Sequence, residues 1–185
     1  KIVDPVEPIR SSALALGFNN LQPDPNGVVR RLNLFRLVND RAYYSLGVEA
    51  IAGLMGEKSA EVNNLSHGYE LKINDLRPWV VESNSLWQPK FNRNFQHINA
   101  TARDFAVVKN KIVIVGVATQ AVNNWVITPD GPMRNHWVQA HVVQSLIDHN
   151  NIVVPAWADM LEMLVSILIL ASILKAARNK TPYAC

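Results

Sequence analysis

Lys109-Asn110-Lys111-Ile112-Val113-Ile114-Val115-Gly116-Val117-Ala118-Thr119 is the stretch around which the 185-residue chain arranges itself. A polar lead-in runs into four β-branched residues and a glycine, the pattern of a strand buried on both faces. Downstream, Gln120 to Asn135 reads as a loop, and about His136 to His149 has helical period. The centre thus predicts strand, loop and helix, with Gly116 at the strand's carboxyl end. Ligands gather at that end in open α/β sheets, though a lone glycine there also serves packing or a turn. The chain has neither the glycine-rich dinucleotide fingerprint nor a P-loop, so no nucleotide site is assigned.

Hydrophobic residues make up 49% of the chain, enough for a real core. The net charge is +3, and Arg30, Arg31, Arg36, Arg41, Lys109 and Lys111 are scattered without interleaved aromatics. That pattern argues against a nucleic-acid partner. The one cysteine is the last residue, Cys185, which excludes an internal disulfide and a thiolate metal site. His136 and His141, five residues apart, sit about 140° apart around a helix and cannot clamp one metal. His67, His97 and His149 have no partner at ligand spacing, so neither metal nor cofactor is expected. With no initiator methionine and no signal peptide at Lys1, the chain reads as a piece of a longer protein.

Asp4-Pro5-Val6-Glu7-Pro8 predicts an extended entry. Asp24-Pro25-Asn26-Gly27 has proline where a turn wants φ near −65° and glycine where it wants positive φ. It predicts a hairpin with strands near Phe18–Leu21 and Val28–Val38; a calcium loop would need further carboxylates that are absent. Asn39-Asp40 turns into Arg41–Ser45 and makes a small meander. Leu46 to Met55 is apolar on nearly every face, a helix buried between layers. Glu57 to Gly68 reads as a loop, and its Asn64-Leu65-Ser66, like Asn99-Ala100-Thr101, fits a glycosylation acceptor only in a secreted eukaryotic protein. Strands are expected at Tyr69–Ile73, Trp79–Glu82 and Leu86–Phe91, the last two joined at Ser83-Asn84-Ser85. Trp79, Trp87, Phe91 and Phe95 there suit either a ligand platform or core packing. A short helix from Ala100 to Val108, capped by Thr101, delivers the chain to the central strand. In the following helix Val138, Val142, Val143, Leu146 and Ile147 share a side, with Gln139, Gln144 and Asp148 off it.

The 12 residues from Met163 to Leu174 are uncharged and apolar. They cover about 18 Å of helix, short of a hydrocarbon layer of about 30 Å. Extended to Ala156–Ala177, the segment is long enough, with Trp157 at one end and Lys175, Arg178 and Lys180 at the other. An interfacial tryptophan and a following basic cluster mark an outside-to-inside spanning helix. Asp159, Glu162 and Ser166 form one stripe that would face partner helices or the water interface. An amphipathic helix packed on the domain is the competing reading.

With these residues in place the chain resembles the second type of CHASE domain, the cyclase/histidine-kinase-associated sensory extracellular domain. The likeness rests on Gly17-Phe18-Asn19 with Asp24-Pro25-Asn26-Gly27-Val28-Val29-Arg30-Arg31, on Lys111-Ile112-Val113-Ile114-Val115-Gly116, on Thr128-Pro129, and on Val138-Gln139-Ala140-His141. Pro155, Trp157 and Glu162 stand where that family enters its first carboxyl-terminal membrane helix. The likeness runs from about Gly17 to Leu174. It departs at Asn135 and Ser85, where the family usually or often has glycine, and the family's amino-terminal half is absent. The resemblance implies a sensor outside the cytoplasm of a bacterial membrane receptor. Its output would be an adenylate or guanylate cyclase or a histidine or serine/threonine kinase outside these residues.

The expected fold is α/β, a mixed sheet with a buried central strand and an antiparallel meander, helices packed on it, followed by a carboxyl-terminal transmembrane helix. Residues 1–154 form the sensory domain, 155–177 the membrane helix and 178–185 the cytoplasmic start. Expected partners are the membrane, a small-molecule or protein stimulus, and a second copy in a homodimer. Candidate ligand-binding residues are Arg30, Arg31, Gly116, Thr119, Thr128 and Gln139. The arginines suit an anion, though an arginine on a strand also commonly pairs on the surface. The rival reading is a membrane-anchored protein-interaction or oligomerisation domain, which exposed Trp79, Trp87 or Trp125 would favour. An α/β enzyme is the third, but Ser, His and Asp occur here without a nucleophile elbow or paired context.

Overall fold

The computed structural model describes residues 5–56, 60–66, 68–81, 86–91, 94–98, 105–117, 125–152 and 157–179. The chain divides into two compact units, Lys1–Ile152 and Val153–Cys185. The first is a mixed α/β unit built from small antiparallel sheets, and the second carries one long helix.

The amino-terminal unit opens with helix α1 (Glu7–Ser12), not an extended entry. Pro8 lies in its first turn, where the missing N–H breaks no helical bond. The Asp24–Gly27 turn forms as its residues dictate, with Gly27 at φ +81° and its N–H donating to the Asp24 carbonyl at 2.8 Å. The strands expected on either side of it do not pair with each other. Phe18 makes a parallel bridge to Ser45 instead, and Val28 one to Ile127. Gly17 permits the first contact, because a Cβ there would fall 2.6 Å from the Leu46 backbone.

Strand β1 (Leu32–Asn33) pairs with β7 (Leu86–Trp87), so β7 does not join β6 (Trp79–Val81) in a hairpin. The meander is as expected: β2 (Phe35–Val38) and β3 (Arg41–Tyr44) pair antiparallel about Asn39 and Asp40, at φ 51° and 60°. Two consecutive positive φ values define the type I′ turn that matches strand twist. Helix α2 (Leu46–Leu54) follows, its first turn capped by the Ser45 hydroxyl, which accepts from Val48 N–H. It buries one face, Gly47, Val48, Ile51 and Ala52, while Leu46 and Leu54 stay exposed.

β4 (Glu61–Leu65), β5 (Gly68–Lys72) and β6 form a three-stranded sheet in that order. β4 occupies what reads as a loop in the sequence. It is an edge strand whose polar residues face water, and only Val62 packs toward the core. Trp79, Trp87 and Phe91 are buried, which favours core packing over a ligand platform. The Trp79 indole donates to the Leu146 carbonyl at 3.2 Å and stacks on His149 at 4.7 Å. Helix α3 (Asn135–Ile147) packs on α2, and its buried residues include Gln139, His141 and Ser145, so Gln139 is not on an exposed face as its sequence position suggested.

The central strand is a correction. Phe105–Val108 is a 3₁₀ turn, and residues 112–117 form no ladder. Val113, Val115 and Val117 are exposed, Val115 by 84%. A β-branched run favours a strand only where neighbours accept its backbone groups, and among the described residues no strand flanks it. Thr101 and Asp104 of the expected capped helix lie outside the described residues.

Glu49 of α2 presents a testable electrostatic cost. Its Oε2 is buried without a hydrogen-bond partner, and burial raises its carboxyl above the ordinary value. The native state therefore binds more protons than the unfolded chain just above pH 4.5. Stability falls as pH rises through that window. Glu49→Gln is expected to remove that fall, melting higher than wild type at pH 7 and equally at pH 4. Thermal melts at the two pH values check this, and equal melting at pH 7 would contradict it.

Candidate functional site

The region expected to be a loop between Gln120 and Asn135 contains a hairpin. β8 (Trp125–Thr128) and β9 (Gly131–Arg134) pair antiparallel, and the Thr128 hydroxyl donates to the Gly131 carbonyl at 2.7 Å. Gly131, at φ +106°, supplies the backbone that this turn needs. The register sets Trp125 opposite Arg134, and the guanidinium lies 4.9 Å from the indole centroid. This is close enough for a cation–π contact.

Arg134 leads directly into α3, which carries His136 and Trp137 in its first turn. Trp137 contacts three rings: His97 at 4.3 Å, His136 at 6.1 Å and Trp125 at 6.4 Å. Gly116 lies against His136, since a Cβ on it would overlap the imidazole ring. Burial, then the charges of Arg134 and His97, push the His136 imidazole below its ordinary value.

The Asp24–Arg31 turn docks beside this hairpin, where Val29 N–H donates to the Ile127 carbonyl at 2.7 Å. Arg30 Nη1 donates to Asp24 Oδ2 at 2.9 Å and to Asn26 Oδ1 at 3.0 Å. Arg31 Nη2 reaches Asp24 Oδ1 at 3.2 Å. The bond from Arg30, with help from Arg31 and against some burial, holds the Asp24 carboxyl below its usual range. Both arginines thus brace the turn as surface pairs.

Of the residues singled out in the sequence, Gly116 lies against His136, and Thr128 sits one residue from the docking point of the arginine turn. Thr128 and Gln139 are buried, and Thr119 lies outside the described residues. Arg134, Trp125, His136 and His97 are functional candidates that the sequence pattern does not mark, whereas the start of the Trp137 helix is expected beside the ligand. Thr128-Pro129-Asp130-Gly131 between two apolar residue pairs was the turn signal for their hairpin. His141 is a core histidine, packed between Phe91 at 5.5 Å and Phe95 at 4.9 Å. Burial lowers its proton affinity, with Asp130 and the Lys90 backbone opposing that shift.

A family model, the CHASE2 domain, matches residues 2–175. The chain belongs to the CHASE2 family. CHASE2 domains are sensory, extracellular and non-catalytic. The match takes in the arginine turn, the 112–117 segment, the β8–β9 hairpin, α3 and most of helix α4 (Ala158–Asn179). No curated protein and no solved structure matches the chain.

Within this CHASE2 chain, α4 is long and apolar enough to cross a membrane. An 18-residue window within Ala158–Arg178 has mean hydropathy 2.0. The helix's 22 residues extend about 33 Å, against about 30 Å of hydrocarbon.

Proposed function

We propose that this CHASE2 chain is the input module of a bacterial transmembrane signalling receptor, with its sensory domain outside the cytoplasm of the inner (plasma) membrane. In the full protein it is coupled to an adenylate or guanylate cyclase or to a histidine or Ser/Thr kinase. A small-molecule or protein stimulus changes the packing or dimerisation of residues 1–154 in a homodimer. Residues 155–177 carry the change across, and 178–185 begin the cytoplasmic side. The stimulus is read around Arg30, Arg31, Gly116, Thr119, Thr128 and Gln139. The observation that carries this reading is a sensory-family unit followed by one helix of spanning length with Lys175 and Arg178 at its far end.

Topology tests it. In intact cells an impermeant maleimide is expected to label Lys72→Cys in a Cys185→Ser background, and to label native Cys185 only after the cells are opened. The reverse pattern would overturn the orientation. A membrane-anchored protein-interaction domain is the second reading, favoured by the 49% exposure of Trp125. Under that reading, crosslinking captures a partner whose contact is lost in Trp125→Ala, with no response to small ligands.

A further inference from the structure

The face formed by Trp125, Arg134, His136, Trp137 and His97 has more positive charge capacity than its surroundings balance. Among the described residues no carboxylate pairs with Arg134, His97 or His136. From Phe105 to Pro129 the chain contains Lys109 and Lys111 and no acid. The nearest acid in sequence, Asp130, acts on buried His141, and the groups acting on His136 are Arg134 and His97. Segment 112–117 brings no charged group to His136.

Arg134, without a counter-ion among the described residues and beside imidazoles that can add charge, is a place where a bound anion would lower the free energy. The aromatic component adds a shape requirement. Trp125 is half exposed and stands at 69° to Trp137, which offers a flat indole surface beside the cationic groups. Arg134 carries a planar fork of donors suited to a carboxylate, and two imidazoles add further N–H groups.

We propose that this face binds a small aromatic carboxylate, with the ring against the indoles and the carboxylate on Arg134, His136 and His97. The proposal rests on the sensory reading above, meets the residues named there at Gly116 against His136, and names the chemical class of the stimulus. Binding favours the protonated His136 imidazole, so affinity rises as pH falls toward that group's free value, which burial and then Arg134 hold below the ordinary 6.5.

The test is a titration of the full chain in detergent micelles with benzoate, and with uncharged benzamide as control, followed by tryptophan fluorescence. Benzoate is expected to give saturable quenching at least fivefold tighter at pH 5.5 than at pH 7.5, and benzamide none. Arg134→Gln is expected to weaken benzoate at least tenfold with far-UV circular dichroism and melting unchanged. Trp125→Ala serves as a second variant, expected to lose most of the quenching. Equal quenching by benzamide, or benzoate binding unchanged in both variants, overturns the proposal. Those failures leave the maleimide topology intact, whereas a reversed topology overturns the receptor reading and leaves the titration to stand by itself.

Discussion

Phe35→Ala is expected to destabilise the amino-terminal unit by about 3–5 kcal/mol, the usual cost of emptying a buried phenylalanine site. Phe35 is 1% exposed and meets Tyr69 edge to face, with centroids 5.1 Å apart and planes at 83°. It begins β2, whose remaining residues face water, so the strand contributes to the core almost entirely through this ring. Leu34 beside it is also fully buried, because the chain bends between β1 and β2 and breaks the alternation that would expose one of the two. Backbone bonds fix that bend: Ser45 N–H donates to the Leu34 carbonyl at 2.8 Å and so ties it to the start of α2. With its neighbours fixed in this way, the site collapses little, and the cavity term adds to the transfer term. A urea titration of the full chain in detergent, read by near-UV circular dichroism, measures the loss. Val80→Ala, at a site 65% exposed, is the control and is expected to change stability by less than about 0.5 kcal/mol. A Phe35→Ala loss below about 1 kcal/mol would mean that the ring is not a core anchor.

What the sequence made legible follows the range of the forces involved. The turn at Asp24–Gly27, the Asn39-Asp40 reversal, α2, α3 and α4 are each written in a few adjacent residues, and all form. Apart from α1 and the 3₁₀ turn at Phe105–Val108, the misses are pairings. β4 reads as loop because an edge strand exposed on most positions needs only Val62 apolar. β8 and β9 were hidden by Pro129, Gly131 and Pro132, residues that end ordinary strands yet serve this short hairpin. Ile112–Val115 failed in the opposite sense: its composition is that of a strand, but a strand exists only with a partner. For the candidate site the same division holds. Gly116 and Thr128 were visible from their places beside an apolar run and a turn, and the structure gives each a defined contact. The Trp125–Arg134 pair follows from the hairpin register that the two-residue turn at Pro129-Asp130 sets, so it could be read only once that turn was recognised as a hairpin.

Leu168→Arg is expected to abolish stable membrane insertion of α4. Leu168 lies at the midpoint of Ala158–Arg178, within the uncharged run from Met163 to Leu174. An arginine at the centre of a spanning helix costs about 2.5–3.5 kcal/mol on insertion scales, and from mid-membrane its side chain is far from either interface. That is a shift of roughly 60- to 300-fold in the insertion equilibrium, since each 1.4 kcal/mol is tenfold. Ala177→Arg is the matched control. It adds the same charge next to Arg178, where the guanidinium reaches the interface and the positive-inside bias favours it. Carbonate extraction of membranes separates the outcomes: wild type and Ala177→Arg stay in the pellet, and Leu168→Arg is released. An amphipathic surface helix would behave differently, because its binding depends on total apolar area and one arginine on an exposed face removes only part of it. Release of the wild-type chain itself would therefore point to surface attachment, and the route by which residues 1–154 signal inward would have to pass through a partner instead of through α4.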